Sequence, residues 1–174
     1  AGSDLPPHRQ PIALTHPADR IGEPWLRCDP AKVAAVVVTN APDRHGDFDP
    51  PGETSRAIAG HLVDFLLHEV KAGRLPPNLL PLQSGVGNTA NAVLAGLARA
   101  PFDNLTAYTE VLQDGMLDLI DAGKMTFASS AALALSAQRS KDFDERLDFY
   151  RDKVLLRPQG ISNHPEIIRR LGVV

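Results

Sequence analysis

The stretch Leu82-Gln-Ser-Gly85-Val-Gly87-Asn-Thr-Ala90-Asn, with Leu105-Thr-Ala-Tyr-Thr-Glu110-Val-Leu112 after it, decides how this 174-residue chain is read. An apolar segment runs into a glycine turn, the turn opens an alanine-rich helical segment closed by Pro101, and a second apolar segment carries a carboxylate. Main-chain N–H groups where such a helix begins can receive an anion or a developing oxyanion. An acid roughly 20 to 25 residues beyond the turn is placed either to bind a cofactor hydroxyl or to attack an activated carbonyl. The residues leave both readings open, together with a plain strand-to-helix turn that needs glycine's freedom.

Outward from this unit, strands and helices alternate. Residues 33–39 (Val-Ala-Ala-Val-Val-Val-Thr) are β-branched and apolar throughout, which predicts a strand buried on both faces. Residues 40–54, rich in Pro and Gly, predict a long polar loop. Helical spacing of Ile58, Leu62, Phe65, Leu66 and Val70 predicts a helix over 55–72, capped by Thr54 or Ser55 and stopped by Gly73. Strands are expected at 79–83, 105–112, 125–128 and 154–157. Helices are expected at 88–100, 116–122 with Asp114 as cap, 142–153 and 165–171. Continuous apolar strands alternating with amphipathic helices indicate an α/β fold, a mostly parallel sheet with helices on both faces. Residues 1–32, with six prolines, read as an extended segment lying across something else.

Composition narrows the function classes. The net charge is −3 and the basic residues are scattered among acids, so no nucleic-acid footprint is present. Cys28 is the one cysteine, which excludes an intrachain disulfide and a cysteine-rich zinc site. The longest aliphatic run is far short of the roughly 18 residues of a spanning helix, and a soluble, cytoplasmic protein is expected. His61 and His68, seven residues apart on a predicted helix, read as surface histidines rather than metal ligands. Ser84-Gly85 lacks the preceding glycine of a nucleophile elbow. Asn163 stands at the end of a strand, either as N-cap of the last helix or as a ligand contact. The absence of an initiator Met and the ending at Val174 suggest part of a longer polypeptide.

The strings Leu82-Gln-Ser-Gly-Val-Gly-Asn-Thr-Ala-Asn-Ala-Val93, Tyr108-Thr-Glu-Val-Leu-Gln-Asp-Gly-Met116 and Leu156-Arg-Pro-Gln-Gly-Ile-Ser-Asn-His-Pro-Glu166 resemble the class I coenzyme A transferases, in the acetyl-CoA hydrolase/transferase branch. The resemblance implies that residues 33–174 are the N-terminal part of a second, C-terminal domain, about a third of a family member, with 1–32 as the linker before it. It implies a nucleophile at Glu110 and a coenzyme A cradle at Gly85, Val86, Gly87, Asn88 and Thr89, the Val86 amide being the oxyanion donor. It places a carboxylate-site asparagine at Asn163 and a basic residue at Arg44. The implied partners are an acyl-CoA and a small carboxylic acid, with no metal, no nucleic acid and no membrane, in a homodimer. The sequence departs from the family at Gly160, where an acidic or bulkier residue is usual. An acetyl-CoA hydrolase, or a nicotinamide-binding oxidoreductase domain using the same turn, is the alternative.

Overall fold

The computed structural model describes residues 12–25, 27–41 and 50–173. Seven helices and five strands follow in the order α1 (Glu53–Lys71), α2 (Asn88–Arg99), β1 (Leu105–Tyr108), β2 (Val111–Gln113), α3 (Asp114–Asp121), β3 (Met125–Ser130), β4 (Ala132–Ala134), α4 (Ala137–Glu145), α5 (Leu147–Tyr150), β5 (Val154–Leu156), α6 (Gln159–Ser162) and α7 (Pro165–Leu171). Every strand pairing among the described residues is parallel. One sheet has the order β1-β3-β5, with Leu105 opposite Met125 and Tyr108 opposite Ser129, and a second, smaller sheet pairs β2 with β4. Parallel strands need crossovers, and α3 and α4–α5 supply them. The result is the α/β fold expected, parallel sheets flanked by helices.

The pleat of β1 divides two cores. Leu105 and Ala107 face one side and join Leu94 and Leu97 of α2, Leu117 and Ile120 of α3, and Leu66 of α1. Tyr108 points to the opposite side, where it packs with Ile167 and Leu171 of α7 and with Leu14 of the N-terminal segment. Leu14 is fully buried, so residues 12–21 lie against α7. Arg157, itself buried, holds that segment down. Its guanidinium donates to Ser129 Oγ (2.7 Å), to the Pro17 carbonyl (2.8 Å) and to the Asp19 carbonyl. Burial holds the Arg157 pKa below the ordinary guanidinium value and raises that of Tyr108.

Several local expectations give way to tertiary constraints. Residues 33–39 form no strand: Val36, Val37 and Val38 are exposed, and no strand among the described residues pairs with them. Residues 79–83 form no strand either. Pro81 has no N–H to donate and Leu79 sits at φ 56°, so pairing shrinks to a single bridge between Leu82 and Ala107. The expected strand 105–112 is two strands in two sheets. Helix α1 begins at Glu53 with Gly52 as cap and no side-chain cap bond, so neither Thr54 nor Ser55 serves, while Gly73 stops it at φ 70° as expected. Asp114 is the first residue of α3 and not its cap; its carboxylate accepts the Ser136 N–H at 2.9 Å instead. The helix placed at 142–153 is two shorter ones, α4 and α5, with Ser136 capping the first.

Behind α3, Asp121 is ringed by Arg139 (2.6 Å), the Tyr150 hydroxyl (2.8 Å) and Arg146 (3.1 Å). Burial works against its charge, but the three donors outweigh that cost and hold the carboxyl below its ordinary range. A depressed folded-state pKa contributes stability that is present above the unfolded value of about 3.9 and is lost as pH falls through the folded one. Asp121→Asn should therefore be less stable than wild type at neutral pH and lose less stability on acidification below about pH 4, as read from urea melts across that range. Parallel acid limbs in the two proteins would contradict this.

Candidate active site

The carboxylate of Glu110 stands where β1 has ended and β2 has not begun. Thr109 still donates its N–H to the Ser129 carbonyl of the first sheet (2.9 Å), whereas the Glu110 carbonyl accepts from Ala131 (2.8 Å) and Ala132 (3.2 Å) on the way into the second. The backbone is thus pinned on both sides of the break. The side chain projects outward, exposed, and its Oε1 accepts from Gln159 Nε2 at 2.8 Å. Among the described residues no cation pairs with it. A carboxylate placed this way keeps one oxygen for chemistry.

Glu110 shares a cavity of about 270 Å³ with Gln83, Tyr108, Thr109, Ser162, Asn163, Ile168 and Val173. Its walls are mostly apolar, with a few polar groups converging on them, as suits a small organic substrate. Asn163 enters as the C-terminal cap of α6, a helix not expected from the residue pattern; the N-cap of α7 is His164, so the capping role for Asn163 fails. The Tyr108 hydroxyl fixes α6 by donating to the Ile161 carbonyl at 2.7 Å. Ser162 is buried at the same wall and its hydroxyl has no partner among the described residues.

The glycine turn does not line that cavity. It reaches the same region through two side chains that flank Glu110. Thr109 Oγ1 lies 3.2 Å from the Ser84 carbonyl and 3.4 Å from the Ser84 N–H, and Gln113 Nε2 donates to the Gly85 carbonyl at 2.5 Å. Gly87 is the N-cap of α2 at φ 141°, ψ 172°, a region closed to side chains, and no side chain caps the helix. Asn88 and Thr89 are the first residues of α2, both exposed, with first-turn N–H groups directed at whatever approaches. The structure therefore brings Glu110 and Asn163 to one cavity; of the expected cradle Gly85 is bonded to the Glu110 segment through Gln113, while Gly85, Val86, Gly87, Asn88 and Thr89 are not among the residues lining that cavity. Arg44 lies outside the described residues.

Sequence reading missed Gln113, Gln159, Thr109 and Ser162, because isolated polar residues carry no motif until a fold juxtaposes them. Among the described residues no group of His, Cys, Asp and Glu could hold a metal ion, and no helix is long and apolar enough to cross a membrane.

The chain is 53% identical over 169 residues to an acetyl-CoA hydrolase of Schizosaccharomyces pombe, a match covering 97% of this chain and 32% of that protein. It is 46% identical to the succinyl-CoA:acetate CoA-transferase of Clostridium kluyveri, covering 97% of this chain and 31% of the relative. In sequence it matches a fragment of the acetyl-CoA hydrolase and coenzyme A transferase family. The chain spans about a third of the length of these relatives. No family model matches it. RipA from Yersinia pestis shares the fold, with a TM-score of 0.58 at 22% identity over 80% of this chain and 31% of that one. A 4-hydroxybutyrate CoA-transferase from Porphyromonas gingivalis gives 0.50 at 19% identity over 70% of this chain and 30% of that one.

The turn itself yields a contrast between its glycines. A Cβ at Gly85 would meet no atom within 4 Å and Gly85 has no positive φ, whereas Gly87 is held in backbone that L-residues avoid even though the space around it is open. Gly87→Ala should cost about 1–3 kcal/mol in chemical denaturation and Gly85→Ala well under that. Equal losses would mean that the backbone at 87 is not the constraint.

Proposed function

We propose that the protein carrying this chain is a coenzyme A transferase that moves CoA between an acyl-CoA and a small carboxylate through a thioester on Glu110. The observation that carries this reading is the placement of Glu110: an exposed carboxylate without a cation partner among the described residues, on pinned backbone, at the rim of a small cavity and tied through its neighbours to a glycine turn. The names of the relatives support acyl-CoA chemistry.

In this mechanism the Glu110 carboxylate attacks the thioester carbonyl, the new C–O bond replaces the C–S bond, and CoA thiolate leaves behind a mixed anhydride. The thiolate then attacks the glutamyl carbon, the anhydride C–O bond breaks, and the free carboxylate departs. An acceptor carboxylate reverses both steps and regenerates Glu110. One negative charge passes along the sequence and no proton is transferred, so no general base is required. The Val86 N–H is assigned to the oxygen on which charge develops, and Asn163 to the carboxylate end of the substrate. The segment 33–174 is assigned to the second domain of the full protein, and a cytoplasmic homodimer belongs to the same reading.

Acetyl-CoA hydrolase activity is the second reading, favoured by the name of the S. pombe relative. It uses the same intermediates, with water taking the place of the acceptor acid, so exclusion of water sets the balance. A nicotinamide-binding role finds no counterpart among the relatives' names.

The full-length protein mixed with acetyl-CoA should gain the mass of one CoA less one water, mapping to Glu110. Glu110→Gln should lose the adduct and roughly 10³-fold or more of turnover while melting like wild type, because its side chain is exposed. Turnover at the wild-type rate in that variant, or a tight NADH complex with no adduct, would defeat the proposal.

A further inference from the structure

We propose that Gln113 is a positioning residue that aims the Val86 N–H by gripping the opposite end of the same peptide unit. A trans peptide is planar, so the carbonyl of residue 85 and the N–H of residue 86 point in opposite directions. Gln113 Nε2 donates to the Gly85 carbonyl at 2.5 Å. Holding that oxygen fixes the plane and turns the Val86 N–H away from Gln113. No acceptor among the described residues takes this N–H, and Val86 is 54% exposed, so the donor is left for a ligand. This role rests on the reading of Val86 as oxyanion donor given above.

The tether matters because the unit is bounded on one side by Gly85, which has no side chain to limit its ψ. Gly85 has open space where a Cβ would stand, so the glycine side of the 85–86 peptide does nothing to fix its plane and steric resistance to turning comes from Val86 alone. Turned over, the unit would present a carbonyl lone pair where a developing oxyanion requires a proton, and stabilisation would become repulsion. Thr109 steadies the preceding residue, Ser84, but reaches neither end of the 85–86 unit.

Gln113 is well built for this. It is 1% exposed, it ends β2 in register with Ala134, and it is the N-cap of α3, so its backbone is fixed from both sides. Its amide orientation is dictated by the carbonyl it meets, because Nε2 is the only donor end of the side-chain amide. The other end of the amide, Oε1, is buried without a partner among the described residues, so the side chain bears an unmet hydrogen bond while serving the turn. Thr109 and Gln113 stand one residue before and three residues after Glu110. The nucleophile and the device that sets its oxyanion donor thus belong to one short segment, and a shift of that segment moves both together.

The test uses full-length Gln113→Leu and Gln113→Glu beside wild type. Gln113→Leu should lower kcat by about 10²-fold, the scale of losing one oxyanion donor, with KM for acetyl-CoA little changed, and its crystal structure should show the 85–86 peptide turned over. Gln113→Glu should be equally slow while its carboxylate is ionised and recover rate on acidification, when the protonated acid can again donate to the Gly85 carbonyl; wild type has no such acid-side rise. A folded Gln113→Leu with wild-type kcat, an unchanged peptide orientation, or a Gln113→Glu profile parallel to wild type would overturn the proposal. Should Gln113→Leu not fold, the pH profile of Gln113→Glu decides. Should wild type form no adduct on Glu110, the functional reading falls, while the peptide orientation in the variant still decides whether Gln113 sets the turn.

Discussion

The hydrogen bonds from Thr109 to Ser129 and from Ala131 and Ala132 to Glu110 hold the chain as it leaves one parallel sheet and enters another. Had 105–112 continued as a single strand, alternation would have set Glu110 opposite in facing to its neighbours within one layer, among buried side chains such as Tyr108 and Leu112. The break instead lifts one residue out of the pleat while its carbonyl stays paired with the N–H groups of Ala131 and Ala132. Exposure of the carboxylate, its share in the cavity and its bond to Gln159 all follow from that. The same break sends Gln113 inward, where it meets the glycine turn.

Much of this was legible beforehand because it is local. The glycine stop at 73, the alanine-rich helix after the turn, and the helix opened by Pro165 are set by φ restrictions and by hydrophobic period within a few residues. The elements that failed depend on distant partners. A β-branched run at 33–39 has every intrinsic preference for a strand, yet strand formation requires a second backbone. The split at Thr109–Glu110 is invisible in the run Leu105 to Leu112, since its cause is the turn between β3 and β4, some twenty residues away.

The candidate site divides in the same way. Glu110 and the glycine turn were read from spacing, and Asn163 from resemblance. Gln113 and Gln159 have no such signal: each acts on a group 28 or 49 residues away in the chain, and an amide side chain is unremarkable until its partner is known. Positions that touch reacting atoms leave motifs, while those that hold them in place are scattered through the sequence.

Val36, Val37 and Val38 lie 81–91% open to solvent, and their peptide groups make no backbone hydrogen bond among the described residues. A ribbon of that kind is a template, ready to zip onto the free edge of any sheet it meets, including another molecule's. An exposed apolar segment of this kind is an aggregation liability, and a charge introduced as Val37→Lys would blunt it.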